Sequence, residues 1–445
     1  MDQTLREAGL PPQALAAMVA EVDPAAAPLW AYQAERAVNP ASVMKLVTTA
    51  AALDLLGPHY SWRTRVYTDG VLQPDGTLRG DLIVRGGGDP KLVAERLWLM
   101  LRRVRGLGLR HIAGDLVLDR SAFALPPHDP AAFDGQPLRP YNVGPDALLV
   151  NFGARVLTFT PDEAAGVARV QVEPALSPPD GPASVPLTRG PCEDWRAALQ
   201  PDWREARRLR LEGRFPLACG ERVWPVADPA PAELAARAIA GTWLAVGGTL
   251  AGAVRQGATP AQATLRLVWP SPPLAEVVRD VNKASQNAMA QHVLLALAWA
   301  GRDPDEAPAT FEAAQAVLRR WWQQRLGPLP VPEVDNGAGL SRSARLTPVA
   351  LVRLLQWAWR QPWAPDYVAS LPLLGIDGTL ARWSAPGVAA HLKSGTLSGV
   401  QALAGYVHRP DGRRRVLVAV VNHERAERAR DALLALVGWA AQAPA

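Results

Sequence analysis

The chain has 445 residues, enough for two or three domains that each bury their own hydrophobic core. About half of the residues (49%) are apolar, and glycine and proline follow no period, which excludes a disordered or a fibrous protein. The net charge is +5, but no Lys/Arg block with interleaved aromatics suggests nucleic-acid binding, and no apolar run approaches the roughly 20 residues of a transmembrane helix.

The first predicted helix covers residues 42–56, an apolar stretch that follows Pro40 and stops at Gly57-Pro58. A helix that is apolar on all sides is expected to be buried within a domain. The charged segment 1–7 lacks the apolar centre of a secretory signal, so either the protein is cytoplasmic or a signal has been removed.

The middle of the chain alternates short apolar runs such as 64–67 and 81–84 with glycine-rich turns, and one helix is predicted over 90–106. Helical periodicity returns at 274 and is interrupted at 282–285. Near the end, runs at 400–408 and 415–422 predict a hairpin, and a closing helix is predicted over 424–441. The pattern predicts an α+β protein of two parts, 1–62 with 262–445, and an inserted, mainly β region at 63–261 made of two subdomains.

Lysine is scarce, because only four of the 47 basic residues are lysines: Lys45, Lys91, Lys283 and Lys393. A lysine amine, unlike the guanidinium of arginine, can lose its proton when it is buried. Three of the four lie in or beside short motifs, which makes chance placement a poor explanation.

The first motif is Ser42-x-x-Lys45. Three residues apart on a helix, the hydroxyl and the amine share one face. Apolar neighbours favour a neutral lysine that can accept the serine proton. Alone, this motif arises often by chance.

Two further motifs lie downstream, Ser285-Gln286-Asn287 in the interruption between two helices and Lys393-Ser394-Gly395-Thr396 at the end of an apolar run. Alone, the former reads as a helix cap and the latter as a turn between strands. Cys192 and Cys219 pair in an oxidising compartment or stay free in a reducing one. Their spacing fits no zinc site and the His residues are scattered, so we expect no metal site. We expect no cofactor either.

The order of the three motifs is typical of penicillin-binding proteins and β-lactamases. The chain resembles the serine D-Ala-D-Ala carboxypeptidase/endopeptidases, the low-molecular-mass class C penicillin-binding proteins with large inserted domains. Gln286 departs from the family's usual Asp or Asn, and Ser394 stands where Thr is common. Four further segments share the resemblance: Gly86–Pro90, Gly114–Phe123, Asp335–Arg342 and Gly375–Leu380.

The resemblance implies a β-lactamase/transpeptidase-like domain, an antiparallel sheet flanked by helices. It also implies catalytic roles, with Ser42 as nucleophile, Lys45 as base, Ser285 as proton relay and Asn287 as a partner of the substrate amide. The backbone N–H groups of Ser42 and Thr396 are then expected to form the oxyanion hole.

Substrate binding is implied for Lys393, Ser394, Gly395 and Thr396, the first two at the terminal carboxylate. Asp134, beside Arg139 and Tyr141, is a weaker candidate for reading the substrate side chain. The implied partners are peptidoglycan peptides and β-lactam antibiotics. The implied location is the periplasm or the exported cell envelope, with the signal peptide absent from this chain.

Two other functions are consistent with the motifs. A β-lactamase shares all three and hydrolyses its acyl-enzyme rapidly, with Glu333 as a conceivable base, although the long insertion argues against it. A non-hydrolytic penicillin sensor also shares the fold, but the full set of polar motif residues favours an enzyme.

Overall fold

The computed structural model describes residues 2–202, 208–228 and 230–442. They form two compact units, the first made of Met1–Ser61 with Pro272–Ala445 and the second of Trp62–Ser271. All three motifs lie in the first unit.

The first unit is built on a five-stranded sheet in which every neighbouring pair is antiparallel. Its central strands are buried along almost their whole length, so both faces of the sheet are covered. In order across the sheet, the strands are Ala389–Leu397, Val400–His408, Arg414–Asn422, Leu15–Glu21 and Trp30–Tyr32.

Alternation along the edge strand Ala389–Leu397 decides which side chains face the motifs. Ala390 and Leu392 belong to the core that includes the C-terminal helix. Because successive side chains of a strand point to opposite faces, Lys393 points to the other face. This alternation therefore places Lys393 on the sheet face opposite to the one that the C-terminal helix covers.

The two helices of the first unit for which bounds were predicted differ from the structure at their starts. The predicted helix 42–56 begins as a 3₁₀ turn, Ala41–Met44, and the predicted helix 424–441 begins as the 3₁₀ turn Ala426–Ala429. No helix among the described residues is long and apolar enough to span a membrane. The α-helices are Asp2–Glu7, Lys45–Leu55, Leu274–Lys283, Asn287–Ala296, Phe311–Leu326, Pro348–Trp359, Ala364–Ser370 and Arg430–Gln442, and the other 3₁₀ turns are Pro12–Ala14, Leu297–Trp299 and Gly378–Leu380.

The second unit contains a seven-stranded sheet, a five-stranded sheet and one two-stranded pair. The strands are Arg63–Leu72, Thr77–Arg85, His111–Ile112, Leu116–Asp119, Ala154–Asp162, Val167–Glu173, Ser184–Thr188, Pro201–Asp202, Arg210–Leu211, Phe215–Pro216, Arg222–Ala227, Thr249–Leu250, Val254–Gln256 and Thr264–Pro270. The helices are Ala94–Gly106, Trp195–Ala198 and Pro231–Ala245, and the 3₁₀ turns are Pro140–Asn142, Asn151–Gly153 and Leu217–Cys219.

The helix predicted over 90–106 begins later, at Ala94. Leu92 forms a bridge with Val150, and its carbonyl accepts a hydrogen bond from the N–H of Asn151 at 3.0 Å. Because Leu92 is extended in this pairing, the helix can begin only after it.

Cys192 and Cys219 form a disulfide in the second unit. Cys219 is buried in a core with Phe159 and Phe215, and Cys192 packs against the same core. The bond therefore closes a 27-residue loop onto the five-stranded sheet.

Replacing both cysteines with serine should lower the free energy of unfolding by about 3–4 kcal/mol, because the unfolded chain gains the entropy of the opened loop. Urea unfolding with and without a reductant measures this difference. The urea midpoint of reduced wild type should equal that of the double variant. Equal midpoints for oxidised wild type and the variant would contradict the expectation.

Candidate active site

Ser42 lies in the 3₁₀ turn Ala41–Met44, directly before the α-helix. The side-chain oxygen of Asn39 accepts a hydrogen bond from the N–H of Ala41 at 2.9 Å. The backbone N–H of Asn39 in turn donates to the side-chain oxygen of Asn422 at 2.8 Å. The start of the turn is thus fixed to the end of a sheet strand, which gives the half-buried serine a defined position.

Lys45 is fully buried, and its Nζ lies 3.0 Å from the Oγ of Ser42. It also donates to the Oδ1 of Asn287 at 2.7 Å and to the carbonyl oxygen of Ala338 at 2.6 Å. Carbonyl oxygens only accept, so these two bonds use two N–H groups of the amine. In the neutral amine the third position is a lone pair, which faces the hydroxyl of Ser42 and can accept its proton.

The electrostatic surroundings favour that neutral form. Burial first, and the positive charge of Lys393 second, hold the pKa of Lys45 well below its ordinary value. Among the described residues, the hydrogen bonds of Lys45 include no carboxylate that would stabilise its ammonium form. The amine is therefore prepared to accept a proton from the serine.

The carbonyl of Ala338 is a part of the site that the sequence analysis missed. It belongs to the stretch Asp335–Arg342, which shares the family resemblance but had no predicted role. Gly337 and Gly339 flank it with φ angles of 73° and 74°, and any side chain on Gly339 would collide with the carbonyl of Ala41. The two glycines in Asn-Gly-Ala-Gly were the signal that a backbone group closely approaches the nucleophile turn.

Ser285 separates two helices and has a φ angle of 58°, a left-handed conformation that a helix cannot continue through. Its Oγ accepts a hydrogen bond from the Nζ of Lys393 at 2.9 Å. Lys393 also donates to the carbonyl of Ser394 at 2.8 Å, and burial lowers the pKa of Lys393 to about 7. The second and third motifs therefore meet at this lysine.

Gly395 allows the edge strand to pass close to the nucleophile. A Cβ at this position would lie 2.6 Å from the carbonyl oxygen of Pro40 and 3.2 Å from the backbone nitrogen of Ser42. Thr396, the residue after Gly395, is exposed. The Oγ of Ser394, the residue before it, lies 2.6 Å from the Oγ1 of Thr379. The strand thus presents polar groups beside Ser42.

Asp134 and Glu333 are the two other candidates that the sequence analysis considered. Asp134 lies in the second unit, where it accepts hydrogen bonds from Tyr141 at 2.8 Å and from Asn142 at 2.7 Å. Glu333 is exposed, and its backbone pairs with Arg345. No hydrogen bond described for these residues joins the carboxylate of Glu333 to Ser42.

The described residues contain no group of three or more His, Cys, Asp or Glu side chains able to hold a metal ion. The chemistry that the cluster itself offers is acyl transfer, with a hydroxyl nucleophile, an amine base and polar groups for an anion.

The chain is similar to known carboxypeptidases. The profile of the D-Ala-D-Ala carboxypeptidase 3 (S13) family matches residues 1–443. A D-alanyl-D-alanine carboxypeptidase of Actinomadura sp. (strain R39) is 30% identical over 407 residues, which is 84% of this chain and 71% of the relative. The D-alanyl-D-alanine carboxypeptidase DacB of Haemophilus influenzae is 24% identical over 404 residues, 86% of this chain and 80% of that protein.

Solved structures show the same fold. The crystal structure of penicillin binding protein 4 (dacB) from Haemophilus influenzae superposes with a TM-score of 0.72 at 21% identity, covering 95% of this chain and 96% of that one. A predatory peptidoglycan endopeptidase from Bdellovibrio bacteriovorus gives 0.54 at 13% identity, with coverage of 95% and 90%. The predicted α+β, transpeptidase-like fold is confirmed.

Replacing Asn287 with Asp would place a carboxylate against the Nζ of Lys45, which favours the ammonium form and raises the pKa of Lys45. The reaction of Ser42 with a chromogenic thioester should become slower at neutral pH. The pH at which its rate increases should be higher than in wild type by about 1 unit or more. Asn287→Ala is the control, since it removes the acceptor without adding charge. Superimposable pH profiles for the two variants would contradict the proposed state of Lys45.

Proposed function

Because the chain belongs to the D-Ala-D-Ala carboxypeptidase 3 (S13) family, we propose that it cleaves the D-Ala-D-Ala bond of peptidoglycan peptides through an acyl-enzyme on Ser42. The chain is a serine-type hydrolase with the fold of the penicillin-binding proteins. The observation that carries the proposal is the buried Lys45, bonded to Ser42 and to two carbonyl oxygens. The first unit, which holds all three motifs, is the proposed D,D-peptidase domain.

Acylation begins when the Oγ of Ser42 attacks the carbonyl carbon between the two D-alanines while its proton passes to the Nζ of Lys45. The backbone N–H groups of Ser42 and Thr396 stabilise the developing oxyanion, an effect of about 3 kcal/mol per donor in other serine enzymes. Asn287 holds the substrate amide. When the C–N bond breaks, Ser285 passes a proton to the leaving amine and takes up the proton that Lys45 had accepted, so Lys45 is neutral again and the D-alanine departs.

Deacylation reverses the roles. A water molecule loses a proton to the Nζ of Lys45 and attacks the ester carbon, and the Oγ of Ser42 leaves with a proton. The shortened peptide is released, and the serine and lysine return to their starting states.

The terminal carboxylate of the substrate binds Lys393 and Ser394 in this proposal. The pKa of about 7 means that Lys393 carries only part of its charge near neutral pH in the free enzyme. An arriving carboxylate favours the ammonium form, so binding of the anion and uptake of a proton reinforce each other. Ser394 adds a hydroxyl donor beside the amine.

We also propose that β-lactams acylate Ser42 and that the protein acts in the periplasm or the exported cell envelope. The penicillin binding protein 4 of Haemophilus influenzae has been solved in complex with a novel beta-lactam, which supports the former. Cross-bridge peptides are a further proposed substrate, since a peptidoglycan endopeptidase shares the fold. The disulfide agrees with an oxidising compartment.

Release of D-alanine from a D-Ala-D-Ala peptide tests the function. Wild type should release it, and Ser42→Ala should abolish the release. Lys45→Arg should slow it on the order of 10³-fold, because a guanidinium stays protonated and cannot act as the base.

Thermal unfolding of the same variants shows whether they are folded. A wild type that binds a fluorescent penicillin but releases no D-alanine would replace the peptidase proposal with a penicillin sensor. Rapid turnover of a chromogenic cephalosporin over many cycles would replace it with a β-lactamase.

A further inference from the structure

The loop Gly375–Leu380, called here the 375–380 loop, contacts Lys283, which precedes the second motif, and Ser394 of the third motif. The Oδ2 of Asp377 accepts a hydrogen bond from the Nζ of Lys283 at 2.5 Å, two residues before Ser285. The hydroxyl of Thr379 lies 2.6 Å from that of Ser394. One short segment therefore contacts the third motif and the helix end that leads into the second.

Backbone hydrogen bonds fix the segment before the loop to the strand that carries the third motif. The N–H of Leu374 donates to the carbonyl of Ala390 at 2.9 Å, and the N–H of Leu392 donates to the carbonyl of Pro372 at 2.9 Å. The segment thus extends the sheet edge, and the loop starts from a rigid base.

The loop is equally close to the end of the helix before Ser285. The Oδ1 of Asp377 accepts the N–H of Leu373 at 2.8 Å, which fixes the carboxylate within its own turn. Gly378 has a φ angle of 56°, and a Cβ there would lie 2.5 Å from the carbonyl oxygen of Lys283. The loop therefore contacts the side chain and the backbone of Lys283, and Ser285 follows after one residue.

The contact between Thr379 and Ser394 bears on the direction in which the hydroxyl of Ser394 donates, since either oxygen can be the donor. A carboxylate can only accept hydrogen bonds, so Ser394 must donate its single proton to bind one. If Thr379 donates its own proton to the Oγ of Ser394, the proton of Ser394 is left to point at the substrate. Thr379 is exposed at this position and is not needed to fill a core.

We propose that Asp377 and Thr379 are positioning residues for the reaction: Asp377 holds Ser285 in place through Lys283, and Thr379 orients the hydroxyl of Ser394 toward the substrate carboxylate. The inference rests on the proposed function, because it assigns these contacts to the proton relay and to the carboxylate site. It predicts two different kinetic defects from two residues of one loop.

The test of Thr379 compares a D-Ala-D-Ala peptide with the same peptide ending in an amide. Thr379→Val keeps the branched shape and removes the hydroxyl, so KM for the carboxylate peptide should rise about tenfold with little change in kcat. The amide peptide should be processed as by wild type. Thr379→Ser restores the hydroxyl and should restore KM.

The test of Asp377 uses the rate of Ser42 acylation. Asp377→Asn and Lys283→Gln should each slow acylation about tenfold, as displacement of a proton relay does, with a smaller effect on KM. Because the two residues act through one contact, the double variant should be no slower than either single variant. Additive losses would overturn the role of this ion pair.

Ile376→Ala is the matched control, since this side chain of the same loop is 68% exposed and should behave as wild type. If wild type releases no D-alanine, the proposed function fails. If wild type is active and Thr379→Val and Asp377→Asn behave like Ile376→Ala, the proposed function stands and this inference is overturned. Should Asp377→Asn fail to fold, the Thr379 pair of variants still decides the orientation of Ser394.

Discussion

The burial of two lysine amines without a carboxylate partner is the constraint on which the site depends. Lys45 and Lys393 are both fully buried, and none of the hydrogen bonds described for them involves an acidic side chain. Removing an ammonium from water is unfavourable, so burial shifts both amines toward the neutral form. Their mutual repulsion adds to the effect on Lys45. The tendency of Lys45 to act as a base thus follows first from burial and second from the charge of Lys393.

Other parts of the first unit hold Lys45 and Ser42 in position. The 3₁₀ turn presents Ser42, the carbonyl of Ala338 and the amide of Asn287 take up the N–H groups of Lys45, and the edge strand closes the other side. These pieces lie far apart in the sequence and approach one another through backbone contacts. Glycine at 395 permits one of these approaches, because a Cβ there would lie 3.2 Å from the nitrogen of Ser42.

The sequence predicted the side-chain chemistry of the site better than its geometry. The three motifs identified the residues that lie together, and the interrupted periodicity at 282–285 predicted the turn that carries Ser285. Helical spacing was the argument for joining Ser42 and Lys45, whereas Ser42 lies in a 3₁₀ turn, in which residues three apart eclipse each other. The role of Ala338 could not be predicted from side chains, because its contribution is a backbone carbonyl and alanine has no distinguishing chemistry. The helix start at Ala94 was also missed, since a pairing with distant residues decides it.

The scarcity of lysine gives the most direct measurement of the protonation state of Lys45. With only four lysines in the chain, ¹³Cε-labelled lysine gives an NMR spectrum of four signals, which Lys→Arg variants assign one by one. If Lys45 is the base, its signal should titrate well below the ordinary lysine pKa. A Lys45 signal that titrates near the ordinary value of 10.5 would show a protonated amine and would contradict its role as the base.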